Sequence, residues 1–346
     1  IKLLANHNKA NIKVVIHENI NDEKTINYLK DLNKNYKKKK VYLSLEYSKE
    51  YLDKNILQQT IVVLLKVCGL IISSLVVLVI TYIGIFNYVS LKEVNSIKED
   101  LANAVDTADP NEVQEMVDKK NNENEANLGI DTPEPDEPDT PPEEETPTTP
   151  MKYITNMDLA SLLAVNEEVI GELKVKNTNV DYPVVQGNDN DYYLKHNINK
   201  EKNQNGWIYL DYRNNAMHLD KNNIIYGHNM YYSGVMFGTL HKTTNKSWYT
   251  NKENQIITYN TLYDNMHFQI FSIYRVPKTS DYLKVFFKDD ADFLEFASMI
   301  TKRSIYNFNV PIKPDDKILT LSTCSDNGNK RLVVHAVLIN EETSTE

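Results

Sequence analysis

Lys317-Ile-Leu-Thr-Leu-Ser-Thr-Cys324, followed after a six-residue loop by Arg331-Leu-Val-Val-His-Ala-Val-Leu-Ile339, is the passage that decides the fold. Side chains alternate along an extended strand, so Ile318, Thr320, Ser322 and Cys324 share one face and Leu319, Leu321 and Thr323 the other. The leucines supply a core. The cysteine lies among hydroxyls, whereas a cysteine kept only as a small buried hydrophobe belongs more naturally on the leucine face. It is therefore a candidate nucleophile. The loop Ser325 to Lys330 lets the two runs pair as a hairpin, which sets Arg331 beside Cys324. An arginine at a strand edge is commonly a solvated charge, but opposite a thiol it offers fixed donors to a developing oxyanion.

Working outward, eight strands are predicted near residues 169–175, 180–186, 207–211, 222–228, 254–260, 266–276, 316–324 and 331–340, parted by Asn, Asp and Gly turns. This mainly β pattern predicts a closed eight-stranded barrel over 151–346. A helix opens it at 158–168. A second, 289–304, is inserted before the cysteine strand, with Phe293, Phe296, Ala297 and Ile300 on one helical face. His228 follows an apolar strand in a Gly-His-Asn turn, where a barrel rim presents functional side chains, although taken alone such a histidine is more often structural. His335 has the parity of Arg331 but lies four strand residues on, ~13 Å along the chain, and is read as structural.

Upstream, the uncharged run Val67 to Val89 is long enough to cross a ~30 Å hydrocarbon core as a helix. Lys66 stands at its start, and Tyr82, Phe86 and Tyr88 near its end are expected at the interface with headgroups. Lysines crowd its N-terminal flank, so residues 1–58 are expected in the cytoplasm and the rest outside. The organisation read here is 1–58, of unassigned role; 59–89, a single transmembrane helix in contact with membrane lipid; 90–150, a polar and Pro/Glu-rich disordered stalk with a frayed helix between Leu91 and Val117; and 151–346, the catalytic domain. The chain opens on Ile1 rather than Met, as a fragment or a misplaced start would. Residues 131–150 hold eight carboxylates and no Lys or Arg, which accounts for most of the formal charge of −10. That charge says little about a substrate. Within 1–58, the run Lys37 to Lys40 reads as a topology signal beside a membrane rather than a nucleic-acid patch. Of the two cysteines, Cys68 lies in the apolar run, so a disulfide to Cys324 is not expected. Metal-ligand spacings and phosphate loops are not evident, and no cofactor is expected.

Thr320-Leu-Ser-Thr-Cys324, Arg331 after it and Ile225-Tyr-Gly-His-Asn-Met230 before it resemble the signatures of sortases, the cysteine transpeptidases of Gram-positive surfaces. Asn179-Val-Asp-Tyr-Pro-Val-Val-Gln186, Asp189-Asn-Asp-Tyr-Tyr-Leu194 and Gly234-Val-Met-Phe-Gly238 are similar to the class B subgroup. The resemblance implies that Cys324 attacks the carbonyl after Thr in an x-Pro-x-Thr-x sorting motif of a secreted protein. Arg331 then stabilises the oxyanion and His228 protonates the leaving amine. It further implies that a peptidoglycan precursor amine resolves the thioester. Ser322, Thr323 and Tyr282 are candidate substrate contacts. A cysteine peptidase releasing free acid, and a non-enzymatic surface module with an inert Cys324, remain open as alternatives.

Overall fold

Alternating apolar residues curl eight strands into a closed barrel in a computed structural model of the chain, which describes residues 12–14, 27, 41–43, 54–127, 153–325 and 329–339. The strands are β1 (Val169–Val175), β2 (Asp181–Val185), β3 (Tyr209–Leu210), β4 (Asn222–Tyr226), β5 (Ile256–Thr261), β6 (Asn265–Pro277), β7 (Ile318–Ser325) and β8 (Lys330–Ile339). Their order around the barrel is β8-β6-β5-β1-β2-β3-β4-β7, and β7 closes onto β8. Neighbours are antiparallel except β2 with β3 and β4 with β7.

The predicted alternation holds. Leu319, Leu321, Leu332, Val334 and Ala336 point into the main core with Leu173, Ile225, Ile257 and Phe268. Ile318, Val333 and Val337 point outward into a second cluster. That cluster is covered by helix α3, Asp290–Lys302, the crossover between β6 and β7. Asp289 caps it by accepting from the Asp292 amide at 2.9 Å, and acidic residues in its first turn oppose Lys302 in its last. Its Phe293, Phe296, Ala297 and Ile300 are buried, one side of the helix against Phe271 and Tyr274. The helix expected at 158–168 is shorter, a single turn Met157–Ala160 running into a 3-10 turn Ser161–Ala164.

Ahead of the barrel, α1 spans Lys54–Thr107 and α2 Pro110–Asn127. From Thr60 on, α1 is long and apolar enough to cross a membrane. Along its first part Val62, Leu64, Leu70, Ile72 and Leu78 are all exposed, an all-round apolar surface suited to lipid. Ser73, Ser74 and Thr81 turn their hydroxyls onto carbonyls of the preceding turn, so none needs water.

The segment after the span departs from the expected stalk. Residues 90–127 are helical and belong to the barrel's unit, Gly84–Glu346. Val94, Ile97, Leu101, Val113 and Val117 recur at helical spacing and are buried in the main core cluster. Polar contacts fasten the same faces: Glu93 accepts from Asn203 at 2.9 Å, Lys120 donates to the Glu167 carbonyl at 2.6 Å, and Asn124 donates to the Tyr263 hydroxyl at 3.0 Å. A sparse apolar stripe in a polar sequence suffices once the barrel supplies the other half of the core. The Pro/Glu-rich stretch lies outside the described residues, as does most of 1–53, where Ile12–Val14 and Val41–Leu43 pair in parallel.

Docking of these helices makes a measurable claim. Leu101→Ala should destabilise the barrel unit by about 2–4 kcal/mol, whereas Ser96→Ala, on the exposed side, should change it by less than about 0.5 kcal/mol. Denaturant unfolding of the detergent-solubilised chain, followed by tryptophan fluorescence, reads both; equal effects would contradict the docking.

Candidate active site

The site is assembled by two different kinds of strand pairing around β7. On one side, β4 runs parallel to β7 with Tyr226 opposite Ser322, and the Gly227 amide continues the ladder to the Ser322 carbonyl at 3.4 Å. His228 and Cys324 each lie two residues beyond that last pair. On the other side, β8 runs antiparallel with Arg331 directly opposite Cys324, positions that share a face of the sheet. The structure thus brings Cys324, His228 and Arg331 to one end of the barrel, with the cysteine strand in the middle.

His228 is held from behind. Its Nε2 lies 2.8 Å from the Leu194 carbonyl, which can only accept, so Nε2 carries a hydrogen and Nδ1 is the nitrogen left to exchange a proton. Gly206 makes this approach possible: it sits at φ +58°, and a Cβ there would lie 2.5 Å from the Tyr193 carbonyl and 3.0 Å from the His228 ring. A Cβ on Gly227 would likewise meet the Ile208 side chain at 2.4 Å.

The residues expected to contact substrate are placed differently. Ser322 and Tyr282 are only 3% and 1% exposed and bond to each other, hydroxyl to hydroxyl at 2.9 Å. They brace the outer face of β7 from beneath the β6–α3 loop instead of standing open. Thr323 falls on the inner, leucine-bearing side, 3% exposed, and its hydroxyl has no partner among the described residues. Alternation alone decides this, since Thr323 lies one residue out of phase with Cys324.

His335 is the structural histidine anticipated. It is fully buried on the outer face, one bond from Thr320 Oγ1 and one from the Tyr274 hydroxyl, both 2.8 Å. Thr320 gives its own hydrogen to Asn222 Oδ1 at 2.6 Å, so it must accept from Nδ1–H, and Nε2 then accepts from Tyr274. Every member is satisfied by a neutral ring. Burial, with the nearby Arg303 charge adding to it, pushes the His335 pKa down from 6.5 to about 3.

The feature unreadable in advance was a backbone atom, the Leu194 carbonyl. The stretch Asp189 to Leu194 was distinctive, but side-chain identities do not say which carbonyl turns toward a neighbour.

Residues 173–339 match a family model described as Sortase domain. Sortase B of Listeria monocytogenes is 36% identical over 185 residues, which cover 53% of this chain and 74% of that protein. The chain belongs to the sortase family. Among solved structures, Staphylococcus aureus sortase B aligns with a TM-score of 0.50 at 33% identity, covering 53% of this chain and 87% of that one. A Staphylococcus aureus sortase B–substrate complex aligns with a TM-score of 0.50 at 32% identity, covering 53% and 85%. The eight-stranded closed barrel is the fold this sortase shares with them.

The buried histidine gives the sortase a pH signature. Its folded pKa is depressed, so its contribution to stability is full above about pH 6.5 and is lost as pH falls toward about 3. Over that window stability should fall by up to about 1.4 kcal/mol per pH unit from this group. His335→Gln, which cannot protonate, should flatten that slope in denaturant melts at pH 7, 6 and 5, whatever it costs at pH 7; an unchanged slope would place the titration elsewhere.

Proposed function

We propose that this sortase is a membrane-anchored cysteine transpeptidase that joins secreted proteins to an amine of the cell wall. The observation that carries the reading is the register: His228 and Arg331 flank the one strand position held by Cys324. Family membership supports the reaction type, and the exposed apolar part of α1 supports the anchor.

In the proposed reaction the Cys324 thiol passes its proton to His228 Nδ1 and its sulfur adds to the carbonyl carbon after the Thr of an x-Pro-x-Thr-x motif. The tetrahedral oxyanion is held by the Arg331 guanidinium, a planar fork of donors in fixed geometry. As the C–N bond breaks, His228 gives the departing amine a proton and an acyl thioester remains. An amine of a peptidoglycan precursor then adds to the thioester. The C–S bond breaks, a new amide forms, and the proton lost by that amine returns through His228 to the enzyme. Splitting the exchange holds the acyl group until the acceptor arrives. The lysine-rich N-terminal flank supports a cytoplasmic N-terminus with the barrel outside.

The test is to incubate the detergent-solubilised chain with a panel of x-Pro-x-Thr-x peptides and to look by mass spectrometry for a thioester on Cys324. Acylation of wild type but not Cys324→Ala, followed by amide formation when an oligoglycine or diamino-acid amine is added, is the expected result. Release of free acid only, with the amine ignored, would make it a peptidase, and no acylation by any peptide would sink the reading. Arg331→Ala should lower kcat by roughly 10²–10³-fold, in line with loss of an oxyanion donor. Arg331→Lys should restore little of it, because one ammonium cannot replace the fork. Steady-state kinetics on the same peptides measure both.

A further inference from the structure

Behind the rim lies a carboxylate that the proposed chemistry does not use. Asp211, just past β3, is 0% exposed. Its Oδ1 accepts from the Arg213 amide at 3.0 Å and from Arg213 Nε at 2.8 Å. Its Oδ2 accepts from Arg213 Nη2 at 2.7 Å, the Tyr226 hydroxyl at 2.8 Å and Asn190 Nδ2 at 3.1 Å. Arg213 Nη2 then reaches on to the Leu283 carbonyl at 3.1 Å. Burial alone pushes the Asp211 carboxyl up, but the Arg213 and Tyr226 hydrogen bonds outweigh it and the group is held below the usual carboxylate range.

What matters is where those bonds go. Asn190 belongs to the turn ending at Leu194, whose carbonyl holds His228. Tyr226 is the residue of β4 paired with Ser322, two positions before Cys324. Leu283 adjoins Tyr282, which bonds Ser322 from the opposite loop. One ion pair therefore touches the turn behind the histidine, the strand floor beside the cysteine, and the β6–α3 loop across from them. A surface ion pair would contribute little, but this carboxylate is dehydrated and all its acceptor sites are directed at fixed partners.

We propose that Asp211 and Arg213 are positioning residues that set the distance between the two walls of the peptide groove beside Cys324, a role that rests on the transpeptidase reading for its substrate. They do not touch the reacting atoms. Their loss loosens the 189–194 turn and the 280–285 loop together, so the groove meets its peptide less often in the binding shape while the thiol itself is unaltered.

The experiment compares the full chain in detergent with Arg213→Lys and Asp211→Asn. Arg213→Lys is the gentler variant because it keeps the charge and removes only the fork and its reach to Leu283. Three readouts are taken on protein shown folded by circular dichroism: hydrogen–deuterium exchange, KM and kcat for a sorting-motif peptide, and the alkylation rate of Cys324 by iodoacetamide. Exchange should quicken in 189–194 and 280–285 together. KM should rise about tenfold, the size expected for a lost charge-assisted hydrogen bond, with kcat within about threefold and alkylation within about twofold of wild type. Unchanged exchange in either segment overturns the proposal, as does an unchanged KM or a loss carried by kcat alone. If wild type acylates no peptide, the transpeptidase reading falls, yet the exchange data still decide whether this pair holds the two walls.

Discussion

Everything at the site follows from the parallel pairing of β4 with β7. Parallel neighbours cannot be joined by a tight turn, so the chain must leave the sheet after β4 and return later beside it. Here it builds β5, β6 and α3 before returning. Because β7 has an antiparallel neighbour on its other side, the residues at its C-terminal end face the outgoing end of β4 and the incoming start of β8. The backbone positions of His228, just after one strand, and of Arg331, at the beginning of another, thus fall on either side of the position held by Cys324. Backbone ladders set this, and no side-chain bond among the three is needed to hold it.

The same topology explains why the molecule has two cores. A crossover returning to a parallel position must pass over one face of the sheet, and α3 does so on the outer side of β6, β7 and β8. Strand β8 is consequently buried on both faces and reads as a nearly unbroken apolar run. The exception, His335, is tolerable only because Tyr274, Thr320 and Asn222 form a donor–acceptor chain that leaves no buried atom of the ring unpaired.

Much of this was legible from residue types alone. Strand positions, the inserted helix with its four buried residues, and the inner and outer faces of β7 all follow from period 2 or period 3.6 patterns, because those patterns are consequences of burial. The helices at 90–127 were harder, since Val94, Ile97, Leu101, Val113 and Val117 are thinly spread among charges and acquire meaning only against the barrel surface that covers them. Groove contacts were harder again. Ser322 and Tyr282 carry hydroxyls near the cysteine, but whether a hydroxyl faces a ligand or another hydroxyl depends on a loop conformation that no local spacing encodes.

The two histidines near the cysteine strand show how depth, not residue type, assigns a role. His335, on β8, and His228, two residues past the end of β4, lie on either side of β7, and each has a ring nitrogen committed to a fixed partner. In His335 the second nitrogen is committed as well and no water reaches it, so a proton would have to arrive in a dry pocket beside the Arg303 charge. In His228, half-buried at the end of its strand, the Leu194 carbonyl occupies Nε2 alone. That single anchor fixes the ring and leaves Nδ1 uncommitted, the arrangement that the acid–base role proposed for it needs.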